Sequence, residues 1–116
     1  WNFHENNMIV IGSNEKDMVK AANSLVTTQG GMVVVSEEKI LSSMPLQMAG
    51  IVSTDSFETV SENFANLNTV LADAGCKFKK PHLIPLFLPF LALPDIRILC
   101  TGLVDIKNHS FLKIIT

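Results

Sequence analysis

Between Asp55 and Gly75, six apolar residues, Phe57, Val60, Phe64, Leu67, Leu71 and Ala74, recur at alternating steps of three and four. That spacing follows the 3.6-residue period of an α-helix and lines all six along one stripe. A helix of this length therefore has to lay its stripe on another apolar surface. Asp55 followed three residues later by Glu58 has the form of a capping box, with Asp in place of Ser or Thr, and Gly75 supplies the stop. With one such helix and no flanking charge pattern, the expected partner is a sheet rather than a coiled-coil mate.

The rest of the chain supplies that sheet. Met8 to Ile11 reads as a short buried strand closed by Gly12, after which Ser13-Asn14 offers oxygen acceptors for a helix start. From Glu15, Met18, Ala21, Ala22, Leu25 and Val26 fall on one helical face, and Gly30-Gly31 ends it. Met32 to Val35, the polar turn Ser36 to Lys39 and the restart at Ile40-Leu41 read as a hairpin, with Pro45 limiting its second strand. Ala49 to Val52 fits either a connection or a short strand. The run Pro81 to Pro94, broken by Pro85 and Pro89, excludes a long helix. Asp95 to Leu99, Gly102 to Ile106 and Phe111 to Ile115 are strand candidates, with turns at Thr101-Gly102 and Lys107-Asn108. The expected architecture is a single α+β domain, residues 1–116, with two helices packed on a mixed or antiparallel β-sheet.

At 116 residues the chain is one ordinary domain, short of a catalytic barrel of roughly 250 residues. Apolar residues make up 47% and charged residues 17%, which excludes a disordered chain and raises the expectation of apolar surface packed on a partner. A net charge of -2 without a basic stripe argues against nucleic acid. The longest apolar stretch, Leu83 to Leu93, is too short and too rich in proline to span a membrane. Cys76 and Cys100 lack CxxC spacing and read as reduced thiols of a cytoplasmic protein. Trp1 stands where an initiator methionine would, and the chain reads as the interior of a longer polypeptide.

Chemistry-bearing residues are scattered. His4, His82 and His109 belong to no HxH or HExxH pattern, so no metal ligand set and no cofactor-binding set is read from them. Gly12-Ser13-Asn14 before a helix could receive an anion, but a single glycine falls short of a phosphate-loop fingerprint and an N-cap explains it as well. Cys76, Cys100 and Ser53 have no histidine near them in sequence, and Glu37-Glu38 reads as an exposed turn. By itself the chain looks like a domain supporting a function located elsewhere.

Several segments, in order, resemble the C-terminal domain of bacterial and archaeal adenine deaminases of the amidohydrolase superfamily. They are Ile9 to Met18, Gly30 to Val35, Met44 to Ile51, Gly75-Cys76, Phe90 to Pro94 and Gly102 to Asp105. The resemblance implies a parent hydrolase that converts adenine to hypoxanthine and ammonia with a divalent metal, manganese or iron, held by an N-terminal TIM-like barrel absent from this chain. It implies that this chain alone is inactive, with that barrel, adenine as substrate and a homo-oligomeric assembly as the partners. The family carries a His- and Asp-containing stretch before its first strand, where this chain has Phe3-His4-Glu5-Asn6-Asn7; His4 and Asn7 echo it, and His4 is the one catalytic candidate. The chain departs from the family between Pro81 and Pro94, which is longer here, and at Asp95-Ile96-Arg97, which replaces a more apolar continuation. The alternative reading is a stand-alone small-ligand-binding or oligomerisation module.

Overall fold

Asn14 starts the first helix in the computed structural model, which describes residues 7–113. Its side-chain oxygen accepts from the amides of Lys16 at 2.9 Å and Asp17 at 3.3 Å, so α1 runs Glu15–Thr27 as the cap predicts. The helix ends in a Schellman closure, with Gly30 N donating to Leu25 O and Gln29 N to Val26 O. The left-handed position in that closure belongs to Gln29, at φ 60°, and not to the glycine pair that the sequence offers as the stop.

The hairpin forms as expected, from β1 (Gly31–Ser36) and β2 (Lys39–Pro45), paired antiparallel from Gly31↔Pro45 to Ser36↔Lys39. Glu37 and Glu38 both take positive φ, the turn geometry that suits the right-handed twist of two adjacent strands. The α1 first turn holds that turn in place, because Asp17 Oδ1 accepts from Glu38 N at 2.7 Å. A bulge at Leu41, between the pairs Val34↔Ser42 and Val35↔Ile40, resets the alternation so that Ser42, Met44 and Leu46 are buried. Ala49 to Val52 resolves as a tight turn closed by a Met48↔Val52 bridge.

The second helix, α2, spans Phe57–Asp73 and lies over β2, where Asn66 Nδ2 donates to Ser42 Oγ at 3.2 Å. Its cap is Ser56, one residue later than the sequence pattern suggested, with Ser56 Oγ accepting from Thr59 N. Asp55 is engaged instead with Ser53, through Ser53 Oγ to Asp55 Oδ2 and Asp55 N to Ser53 Oγ. Gly75 ends the helix as predicted, with Cys76 N returning to Leu71 O. The stripe buries its middle only: Leu67 is 2% exposed, whereas Phe57 is 82% exposed.

The proline-punctuated run becomes a 3-10 turn at Pro81–Leu83 followed by one α-helical turn, α3 (Ile84–Phe87). Pro81, Leu86 and Pro89 are buried, while Phe87 and Leu91 stay exposed, so the run contributes to the core with part of its length only. A separate antiparallel meander follows: β3 (Ile96–Leu99), β4 (Gly102–Asp105) and β5 (Ser110–Leu112), in the order β3-β4-β5. The expected last strand through Ile115 runs past the described residues.

The α+β class holds, with both sheets antiparallel and the strands divided between a two-stranded and a three-stranded sheet. One expectation fails. Met8 to Ile11 is not a strand; it makes no ladder, although the two-stranded sheet leaves one edge of β1 and one of β2 unpaired by another strand.

Candidate functional site

The feature with the greatest capacity for function is a cavity of about 1000 Å³. The run Asn7 to Asn14 forms one wall, Met18, Ala21 and Leu25 of α1 a second, and the β1 residues Met32 to Ser36 a third. Leu67 and Leu71 of α2, then Cys76, Phe78 and Pro81 to Leu86, complete it. Each wall follows from local sequence: the α1 residues are those that recur at helical spacing, and the prolines bend residues 81–86 across the end of α2. The lining is mostly apolar. A cavity with such walls holds ordered water poorly and is open to an apolar occupant.

On the rim, two turns meet. Gly30 packs against Gly50, and a Cβ on Gly30 would collide with the Gly50 backbone. Gln29 and Ala49 beside them hold φ of 60° and 56°, values that non-glycine residues adopt at a cost. Leu46 N donates to Gly30 O at 3.2 Å and fixes the pair of turns to the end of β2. Sequence reading assigned Gly30-Gly31 to a helix stop and a tight turn and left Ala49-Gly50 undecided between a connection and a short strand. Their meeting depends on a contact between residues twenty apart, for which the sequence carries no local signal.

Among the polar residues of the lining, which include Asn14, Asp17, Gln29 and Ser36, His82 stands beside the apolar residues of α2. His82 Nδ1 lies 3.0 Å from Asn68 Oδ1, and the imidazole meets the Phe64 ring edge-on with centroids 4.4 Å apart. Asn68 Nδ2 is committed to Phe64 O, so Oδ1 is the acceptor and His82 Nδ1 carries the proton, leaving Nε2 as the free acceptor. Burial and then the neighbouring Lys80 hold the His82 pKa below its ordinary value, which favours the neutral ring. Sequence reading left His82 outside any ligand pattern; its pairing with Asn68, fourteen positions away, was not legible.

The remaining candidates stay apart. His4 lies outside the described residues. His109 sits at φ 49° in the β4–β5 turn, where Asp105 binds Asn108 through both carboxylate oxygens. Those hydrogen bonds, the Asn108 side chain first, hold the Asp105 carboxyl below its usual pKa, while Asp95 pushes the Lys107 ammonium up through their ion pair. Cys76 is half-buried in the cavity wall and Cys100 is exposed on the β3–β4 turn; both are free thiols. Glu37 and Glu38 form the hairpin turn. At the α1 N-terminus the Asn14 side chain takes the amides of Lys16 and Asp17, and the carboxylates of Glu15 and Asp17 repel negative charge, so an anion finds no seat there.

Among the described residues, no group of three or more His, Cys, Asp and Glu side chains is placed to hold a metal ion. No helix among them is long and apolar enough to cross a membrane.

Comparison with known proteins places this geometry in a family. Residues 1–110 match the family described as the adenine deaminase C-terminal domain. The chain is 49% identical over 115 residues to the adenine deaminase of Cenarchaeum symbiosum (strain A), covering 99% of this chain and 19% of that protein. It is 38% identical over 108 residues to the adenine deaminase of Kosmotoga olearia, covering 93% of this chain and 19% of the relative. The adenine deaminase of Brucella abortus (strain 2308) is 37% identical over 105 residues, with 90% and 18% covered. The chain thus spans about a fifth of the length of these relatives. By the extent of the family match and the level of identity, the chain belongs to the adenine deaminase C-terminal domain family.

Proposed function

We propose that this domain is the C-terminal portion of an adenine deaminase, and that it supports or completes an active site whose reacting groups lie upstream. In the reaction, water adds to the amino-bearing ring carbon of adenine, the C–N bond breaks, and hypoxanthine and ammonia leave. The observation that carries the reading is the end-to-end similarity to proteins named adenine deaminase that are about five times longer. A cavity walled mostly by apolar side chains fits a supporting domain better than a self-contained hydrolase.

In this reading a divalent metal, manganese or iron, belongs to an upstream barrel, as the similarity to adenine deaminases implies. His4 is carried as the candidate active-site contributor on the strength of its place in the sequence before Asn7. The two free thiols fit a cytoplasmic protein, and the exposed apolar residues fit a homo-oligomer.

The test is an adenine deamination assay with manganese or iron, comparing this chain with the same chain continued upstream through its natural reading frame. Turnover in the longer protein alone is expected, with His4→Ala lowering it. Turnover by this chain alone overturns the division of roles, and inactivity of both returns the substrate question to related purines and cyclic amides.

A further inference from the structure

We propose that Met8 to Ile11 is a strap poised to close on the free edge of β1 as a parallel strand, with α1 as the crossover between them, and that the cavity is the space this closure narrows.

Unpaired backbone on both sides carries the inference. Ile9 and Val10 are half-buried, yet among the described residues no hydrogen-bond partner meets the backbone N–H and C=O groups of Met8 to Ile11. Backbone polar groups drawn away from water are ordinarily paired, so this segment holds donors and acceptors that the open arrangement leaves unused. β1 holds the complementary set. It pairs with β2 along one edge only, and an open edge presents a row of N–H and C=O groups that a further strand can take up. Met32 to Ser36 of β1 line the cavity and no residue of Lys39–Pro45 does, which puts the open edge on the cavity side, across from Met8 to Ile11.

The connection between the two has the right form. Parallel strands need a crossover of about a dozen or more residues, most often a helix. α1 supplies 13 residues and packs on β1. Its length of roughly 20 Å carries the chain back over about the span of a six-residue strand such as β1.

The side chains agree with the backbone. Met18, Ala21 and Leu25 of α1 face the cavity, and α1 has no fully buried residue. Met8 and Ile11 are 49% and 63% exposed. A helix whose apolar stripe is left half-covered gains burial when a second strand closes beside the first beneath it. The β-branched residues Ile9, Val10 and Ile11 suit that strand. At Gly12 the chain passes so near α1 that a Cβ would stand 2.8 Å from Met18 Cγ. The inner end of the strap is thus held against the helix, and glycine gives the backbone freedom to pivot there.

Hydrogen exchange, read by peptide mass spectrometry, tests the closure in this chain and in the chain continued upstream through its natural reading frame. The amides of Met8 to Ile11 are expected to exchange at least about tenfold more slowly than unstructured peptide. Successive amides of a strand point to opposite sides, so one of Ile9→Pro and Val10→Pro removes a donor aimed at β1. That variant is expected to speed exchange both in the strap and in Met32 to Ser36, with α2 unchanged. Slow exchange in either protein, with β1 responding to the proline, upholds the proposal. Exchange of Met8 to Ile11 at the unstructured rate in both proteins overturns it. Slow exchange that the prolines abolish without any response in β1 also overturns it, because the strap is then paired elsewhere. Protection of β1 that appears only as the concentration of this chain rises assigns the open edge to a second copy, with the same consequence.

Discussion

At the residue scale, backbone and protonation each place a sharp demand on one position. Gly31 holds φ 130°, and a Cβ there would strike the Met44 carbonyl and come within 3.1 Å of Leu46 N. Backbone atoms of a paired strand cannot step aside, so Gly31→Ala should cost about 2 kcal/mol or more, seen as a lower urea midpoint with an unchanged slope. His82 gives a pH dependence. Its folded pKa lies below the ordinary 6.5, so between the two values the unfolded chain binds more protons than the folded one. The neutral ring's contribution is fully present above pH 6.5 and is lost as pH falls through that value towards the folded pKa. The wild type should therefore lose more stability than His82→Gln between about pH 7.5 and about pH 5.5, measured by urea unfolding at each pH; an equal loss removes His82 from the account.

At the element scale, caps and closures decide where helices begin and end. The periodicity of α2 was legible because apolar residues stepping by three and four fit no other regular structure, and a cap for α1 within Ser13-Asn14 was legible because both side chains carry oxygen acceptors, of which the structure uses Asn14. The α2 cap was misplaced by one residue. Asp55-x-x-Glu58 and Ser56-x-x-Thr59 are both plausible starts, and the choice fell to Ser56 because Ser53 engages the Asp55 carboxylate. Ser56→Ala is expected to cost about 1 kcal/mol, and Asp55→Ala less than half of that, in thermal unfolding of the purified chain. A larger loss for Asp55→Ala restores the original capping box. Met8 to Ile11 failed as a strand for a different reason: β-propensity describes what a segment tolerates, and whether an open sheet edge lies beside it is settled elsewhere in the chain.

At the scale of the whole molecule, a few side chains carry the packing. Leu67 stands where α2 closes on the cavity wall and is among the most fully buried side chains described. Leu67→Ala should cost about 3 kcal/mol by urea unfolding, a large share of the roughly 5–15 kcal/mol of an ordinary domain. If it costs less than about 1 kcal/mol, the space around Leu67 collapses on truncation and the cavity is not held open by α2.

The sequence by itself determined the α+β class, both helices, the hairpin and the three strand candidates of the second half, together with the family, because periodicity, turn chemistry and ordered motifs are local and survive without coordinates. Only the tertiary structure decided that the strands divide into two sheets, that Pro81, Leu86 and Pro89 are buried, and that Gly30 meets Gly50 while His82 meets Asn68. Those outcomes depend on contacts between distant positions, and it is they that gather the entering segment, two helices and a strand around one apolar cavity.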